Sequence, residues 1–161
     1  MSSMDRTDTR TDTPAELVRE TLVRIADTAG IEAEVRITED DSGISAEYLL
    51  DDAGPLIGHH GTTIDAIQHL AYRIAFRGDG PRKQVSVDAA GYRERRSVAL
   101  RAAADQAAEA ALRDGRPVSL DPMGPLERKV VHEHLKGRRD VETYSEGQEP
   151  SRRLVVAPLV H

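Results

Sequence analysis

Apolar and polar residues alternate along this chain with two different periods, and the switches between them mark its elements. Thr13-Pro14 opens a helix, with Thr13 as N-cap and Pro14 in the first helical position. Leu17, Val18, Leu22 and Ile25 supply its apolar side, and Gly30 closes it. From there the period drops to two. Ile31, Ala33, Val35 and Ile37 alternate with Glu32, Glu34 and Arg36, as on a half-buried strand. A turn cluster, Asp40-Asp41-Ser42-Gly43, follows. Ile44, Ala46, Tyr48 and Leu50 then alternate again, which makes this segment the hairpin partner of the first strand. After Asp51-Asp52, helical spacing returns at Ile64, Ile67, Ala71 and Ile74. Gly78-Asp79-Gly80-Pro81 stops that helix, and Val85 and Val87 mark a short third strand.

The second half reads differently. Residues 91–113 are rich in Ala, Arg and Glu, with no Gly or Pro after Gly91, and predict one long helix ended by Gly115 and Pro117. A helix from about Pro125 to Lys136 follows, then two short strands near 141–145 and 152–156, with Gly147 and Pro150 in the turn between them. Residues 1–13 are almost wholly Ser, Thr, Asp and Arg apart from two Met, and are expected to form a disordered tail. No internal repeat is visible.

Composition narrows the chemistry. Cys is absent, which excludes disulfides, thiolate metal ligands and a cysteine nucleophile. No apolar run approaches a membrane span and no secretory signal opens the chain, so a cytoplasmic location without membrane insertion is expected. The formal charge is −6, unevenly spread: residues 1–90 carry 9 basic and 17 acidic side chains, residues 91–161 carry 13 and 11. A phosphate-binding face must therefore be local. With four Tyr, one Phe and no Trp, binding cannot rest on many stacked bases.

Two constellations stand out. The first is Leu56-Ile57-Gly58-His59-His60-Gly61-Thr62-Thr63. Two glycines three apart permit a tight turn in which backbone approaches another molecule. The helix that begins after Gly61 aims its unsatisfied N–H groups and positive dipole end at this turn, a setting that favours phosphate. A lone G-x-x-G is more often a simple loop, and His59 and His60 also read as two solvated loop residues. The second is the helix over 126–136. At 100° per residue, Leu126, Val130, Val131 and Leu135 fall on one broad side, and Arg128, Lys129, His132 and Lys136 on the other. Arg128 and His132, four apart, are surface neighbours and candidate phosphate contacts. The alternative is an ordinary solvated face with Arg128 paired to a carboxylate.

The order helix, strand, strand, glycine turn, helix, strand resembles a KH domain of the bacterial, type II topology. The resemblance implies that Gly58, His59, His60 and Gly61, with Thr62, clamp a nucleic-acid backbone, while Leu56, Ile57 and Ile64 lie beside the groove or beneath it. Many KH loops carry Lys or Arg between the glycines. Two His here imply modest affinity, tighter at pH 6 than at pH 8. The Arg-x-x-x-His spacing of Arg128 and His132 resembles the signature of the R-3-H domain, a small α/β module associated with single-stranded nucleic acid. Pro122–Arg128, Val131-His132, Thr143–Gly147 and Arg152–Val156 resemble it as well, and add Arg152 and Arg153 as weaker candidates.

Gly91-Tyr92-Arg93-Glu94-Arg95-Arg96 resembles the joint between these domains in the Jag family, also called KhpB or EloR. The resemblance covers roughly residues 14–158 and implies an α+β fold: a type II-like KH domain over 14–90, then a connecting helix and R-3-H domain over 91–158. Longer members carry an extra N-terminal domain, and this chain is expected to be a short form without it. The family is implicated in RNA binding and, in some bacteria, in cell elongation and division, and some members pair with a second small KH-domain protein. No cofactor is implied. His132 and His134 diverge by about 200° on a helix and cannot share a metal ion. His134 instead points into the apolar arc between Val130 and Val131, as a buried or half-buried core histidine. With no catalytic pair or Ser-His-Asp set in view, enzyme activity is not expected. A protein-interaction adaptor is the rival reading, built on the acidic first half and the long helix.

Overall fold

The computed structural model describes residues 12–159. All but the last two residues of the expected N-terminal tail lie outside the described residues. The chain divides into two compact units, one ending at Gly91 and the other beginning at Tyr92.

In the first unit, α1 (Pro14–Thr28) starts at Thr13 with a reciprocal cap: the Thr13 hydroxyl accepts from Glu16 N–H and the Glu16 carboxylate accepts from Thr13 N–H. At its other end the Ile31 amide donates to the Ala26 carbonyl. That bond spends Ile31 on the helix terminus. The alternating segment therefore becomes β1 only over Glu34–Glu39, with Val35 buried as the pattern predicts. Asp40 then shapes the turn: one carboxylate oxygen accepts from the Ser42 amide at 2.8 Å, the Gly43 amide at 3.1 Å and the Ser42 hydroxyl. Strand β2 (Gly43–Leu49) pairs antiparallel with β1, Val35 facing Tyr48. Strand β3 (Gln84–Ala89) adds on the other side of β2 in parallel. This register sets Ile44, Ala46 and Tyr48 beside Val85, Val87 and Ala89, all buried, so one face of the sheet is apolar throughout.

The helices that cover this face are α1 and α3 (Thr62–Ala75), through Val18, Leu22 and Ala26 and through Ile64, Ile67 and Ala71. Tyr48 donates its buried hydroxyl to the Leu22 carbonyl at 2.7 Å. Gln68 of α3 accepts from the Val87 amide, which closes an edge-strand donor that would otherwise invite another chain. Between β2 and α3 lie a short helix α2 (Gly54–Ile57) and a 3-10 turn over His59–Gly61. Four residues are too few to show helical periodicity in the sequence.

The second unit is built on α4 (Tyr92–Asp114), α5 (Pro125–Leu135) and a sheet of β4 (Val118–Ser119), β5 (Val141–Glu146) and β6 (Arg153–Pro158). The sheet is antiparallel with β6 in the centre. The long helix is a packed member of this unit. Leu100, Ala104, Ala107 and Ala108 join Met123, Val131, Leu135, Val141, Leu154 and Val156 in one core. Alanines let α4 sit close to its neighbours. Its polar side-chain contacts with α5 and the segment just after it, Arg96–Glu127, Asp105–His134 and Glu109–Arg138, advance together along both, so the two helices run in the same direction.

Candidate nucleic-acid interface

The glycine turn is held by backbone geometry that only part of the sequence announces. Gly58 lies at φ 71°, ψ −171°, His60 at φ 52°, ψ 31°, and Gly61 at φ 81°, ψ 10°. A Cβ on Gly58 would collide with Thr63 Oγ1 and stand 2.8 Å from Thr63 Cβ, so both the angle and the space require glycine. Gly61 is the N-cap of α3, and no side chain caps that helix. The Thr62 amide donates to the His59 carbonyl, and the start of α3 sets its positive dipole end beside the loop, with Asp65 in its first turn. Leu56 and Ile64 are core residues beneath the turn, Ile57 is half-buried and Thr62 exposed. The imidazoles of His59 and His60 stack on each other, centroids 3.9 Å apart. His59 is exposed and His60 half-buried, so the pair presents one flat polar face at the loop tip.

Helix α5 departs from the two-sided partition that spacing suggests. Arg128 belongs to the buried sector, beside Val131 and Leu135, and is only 9% exposed. Leu126, assigned to the apolar side, is 65% exposed. The partition drew its line through the true core, because spacing gives the angles between residues but not which angle meets the sheet. Arg128 Nη1 donates to the Met123 carbonyl and Nη2 to Glu149 Oε1, each at 2.6 Å. Its charge is thereby paired inside the unit, the alternative that the sequence left open. The Met123 amide in turn donates to the Arg152 carbonyl, so this guanidinium ties the start of α5 to the strand entering β6.

His134 also differs from expectation. It is exposed, and its Nε2 meets Asp105 Oδ1 of α4 at 2.9 Å, where a buried or half-buried core histidine was expected. The reason is again the true position of α4, beside the Glu127 and His134 sector. His132 is exposed and its Nδ1 lies 2.6 Å from the Thr143 hydroxyl on β5. With Nδ1 engaged, Nε2 is the ring nitrogen left for a ligand. The two histidines turn to different elements.

Among the exposed residues of α5 and its C-cap are Lys129, His132 and Lys136, spaced three and four residues apart. Lys129 is in no ion pair among the described residues, and Lys136 reaches Glu133 only at 3.8 Å. Arg152 and Arg153 are exposed, Arg153 with Glu146 at 3.7 Å. By contrast, Arg96 grips Glu127 through two bonds of 2.6 and 3.1 Å, and Arg138 is shared by Asp140 and Glu109. The Glu127 bonds raise the Arg96 pKa, and those of Asp140 and Glu109 raise that of Arg138. These arginines join elements and are not available to a ligand. Thr63, Thr143 and Glu149 were missed as parts of the site. Each acts on a residue it meets only through local turn geometry or the fold, and composition carries no sign of it.

Comparison with known proteins agrees with this two-part architecture. Residues 15–89 match the family model described as KhpA/KhpB, KH domain, and residues 98–158 match the R-3-H domain model. The chain is 33% identical over 127 residues to the RNA-binding protein KhpB of Clostridium symbiosum, covering 79% of this chain and 57% of that one. It is 34% identical over 136 residues to KhpB of Lactiplantibacillus plantarum, covering 84% and 42%. With KhpB of Bacillus subtilis the identity is 31% over 138 residues, covering 84% and 66%. The chain thus spans between two fifths and two thirds of the length of these relatives. A KH fold with its glycine turn, followed by an R-3-H fold carrying Arg128 and His132, places this chain in the KhpB family.

Proposed function

We propose that this protein binds single-stranded RNA through two phosphate-binding surfaces, and that it acts as a post-transcriptional regulator linked to cell elongation or division. The observation that carries the reading is the Gly58–Gly61 turn set against the uncapped start of α3. The turn sits at the N-terminal end of α3, where amide hydrogens and the helix dipole supply the attraction that a net charge of −6 does not. His59, His60 and Thr62 add hydrogen-bonding groups at the rim. On the second surface, Lys129, His132 and Lys136 supply cationic or donor groups, with Arg152 and Arg153 near the entry of β6. Arg128 stands behind this row. The named relatives are RNA-binding proteins, which supports RNA over other polyanions. Such a role places the protein in the cytoplasm, non-catalytic and with RNA as its principal partner. No helix among the described residues is long and apolar enough to cross a membrane. Pairing with a second small KH-domain protein belongs to the same proposal and is tested by co-purification.

The RNA reading is tested by titrating a labelled single-stranded RNA at several salt concentrations. Each lysine contact to a single strand contributes about 0.7 to the slope of log affinity against log salt. Lys129→Ala with Lys136→Ala should lower that slope by about 1.4 and weaken binding at low salt. Affinity that ignores both salt and the two lysines sinks the second surface. If the protein captures a defined protein partner from cells but no RNA, the adaptor reading replaces this one.

A further inference from the structure

We infer that Glu149 occupies the anion seat of Arg128 as a built-in competitor, so that RNA gains this arginine only by displacing the protein's own carboxylate. The inference rests on the RNA-binding reading and deepens it at the α5 surface.

Both terminal nitrogens of Arg128 are committed, Nη1 to the Met123 carbonyl and Nη2 to Glu149 Oε1. The two partners are not alike. Met123 is 6% exposed and its segment is tied to β6 by its own amide, so that bond is part of the unit's framework. Glu149 lies in the turn between β5 and β6, and its side chain is 52% exposed while that of Arg128 is 10% exposed. Arg128 thus stays put while the carboxylate has water to retreat into. A carboxylate oxygen and a phosphate oxygen present the same kind of acceptor to a guanidinium N–H. Exchange of one for the other conserves the hydrogen bond and keeps the buried charge paired, which a simple opening of the pair would not do.

His132 gives the exchange a direction. It lies one helical turn along α5 from Arg128, with Nδ1 at Thr143. A phosphate that takes the place of Glu149 and also meets His132 Nε2 holds two groups where the carboxylate holds one. A monovalent anion or a lone exposed phosphate gains too little to displace an acid tethered beside the site. The pair therefore filters against loosely held anions in favour of a backbone delivered in register along α5.

The test compares wild type with Glu149→Gln, which keeps an oxygen acceptor for Arg128 and removes the charge. The probe is a short fluorescein-labelled single-stranded RNA of mixed sequence, read by anisotropy on the full chain at low salt. Glu149→Gln should bind about twofold to fivefold more tightly, the range that loss of a partly exposed ion pair supplies. Glu146→Gln, which removes an equal charge from β5 without touching Arg128, should gain less. The gain at Glu149 should fall to the level of Glu146→Gln in an Arg128→Gln background. In wild type, nitrogen-15 spectra should show the Arg128 Nη2 signal move on RNA addition. Unchanged or weaker binding by Glu149→Gln overturns the inference, since a carboxylate that merely positions Arg128 predicts a loss. So does a gain that persists without Arg128, or an Arg128 signal that ignores bound RNA. If neither wild type nor Glu149→Gln binds the probe, the RNA reading itself fails. Binding by wild type without the Glu149 effect removes only the competitor.

Discussion

Replacing Gly58 with alanine tests the geometry of the glycine turn most directly. At φ 71°, ψ −171° the backbone sits in a region essentially reserved for glycine, and a residue with a side chain pays about 1–3 kcal/mol to remain there. The added Cβ would also strike Thr63 Oγ1 and lie 2.8 Å from Thr63 Cβ and 3.0 Å from Thr63 N. A rotamer change moves the hydroxyl, but Cβ and the backbone nitrogen stay, so the start of α3 must shift. Overpacking of this kind costs about 1–3 kcal/mol. Gly58→Ala should therefore destabilise the first unit by about 2–6 kcal/mol, or about 10 °C or more in Tm. Thermal unfolding by circular dichroism gives the total. Hydrogen exchange at the Ile64 and Ile67 amides assigns the loss to α3. Gly80→Ala is the control, since open space surrounds its Cβ position, and should change stability by less than about 0.5 kcal/mol. Adding Thr63→Ala to Gly58→Ala removes the hydroxyl collision but not the backbone strain, so it should restore only part of the loss. Gly58→Ala within about 0.5 kcal/mol of wild type would refute the argument.

Other expectations follow from the same contacts. Hydrogen bonds from the Ser42 hydroxyl and from the Ser42 and Gly43 amides hold the Asp40 carboxyl below its usual range. Its folded-state pKa is depressed, so its contribution is complete above the ordinary value of about 3.9 and disappears as pH falls through the folded one. Urea unfolding should accordingly separate wild type from Asp40→Asn at neutral pH and bring the two together in strong acid; a constant gap would contradict the turn's role. Arg128→Ala should cost about 2–4 kcal/mol in thermal unfolding, because it strands the Met123 carbonyl and unpairs Glu149. Unchanged stability in Arg128→Ala would refute this account of its two bonds.

The elements legible in the sequence are those whose cause is local. Thr13-Pro14 opens α1, period two marks the cores of β1 and β2, and helical spacing from Ile64 to Ile74 identifies the buried stripe of α3. Gly58 and Gly61 announce an unusual turn because few other residues tolerate positive φ. Each of these follows from a residue's own torsional preferences or from neighbours within one turn of chain. The tertiary structure decided what depends on distant partners. It placed β3 parallel to β2, set β6 between β4 and β5, and turned α5 so that Arg128 faces inward and Leu126 outward. Glu149 is 21 residues from the arginine it neutralises, and Thr143 is 11 from the histidine it orients. Helical spacing leaves one rotation about the axis undetermined, and only packing against the sheet settles it. Which cations face water and which are spent on the protein's own acids follows from that rotation.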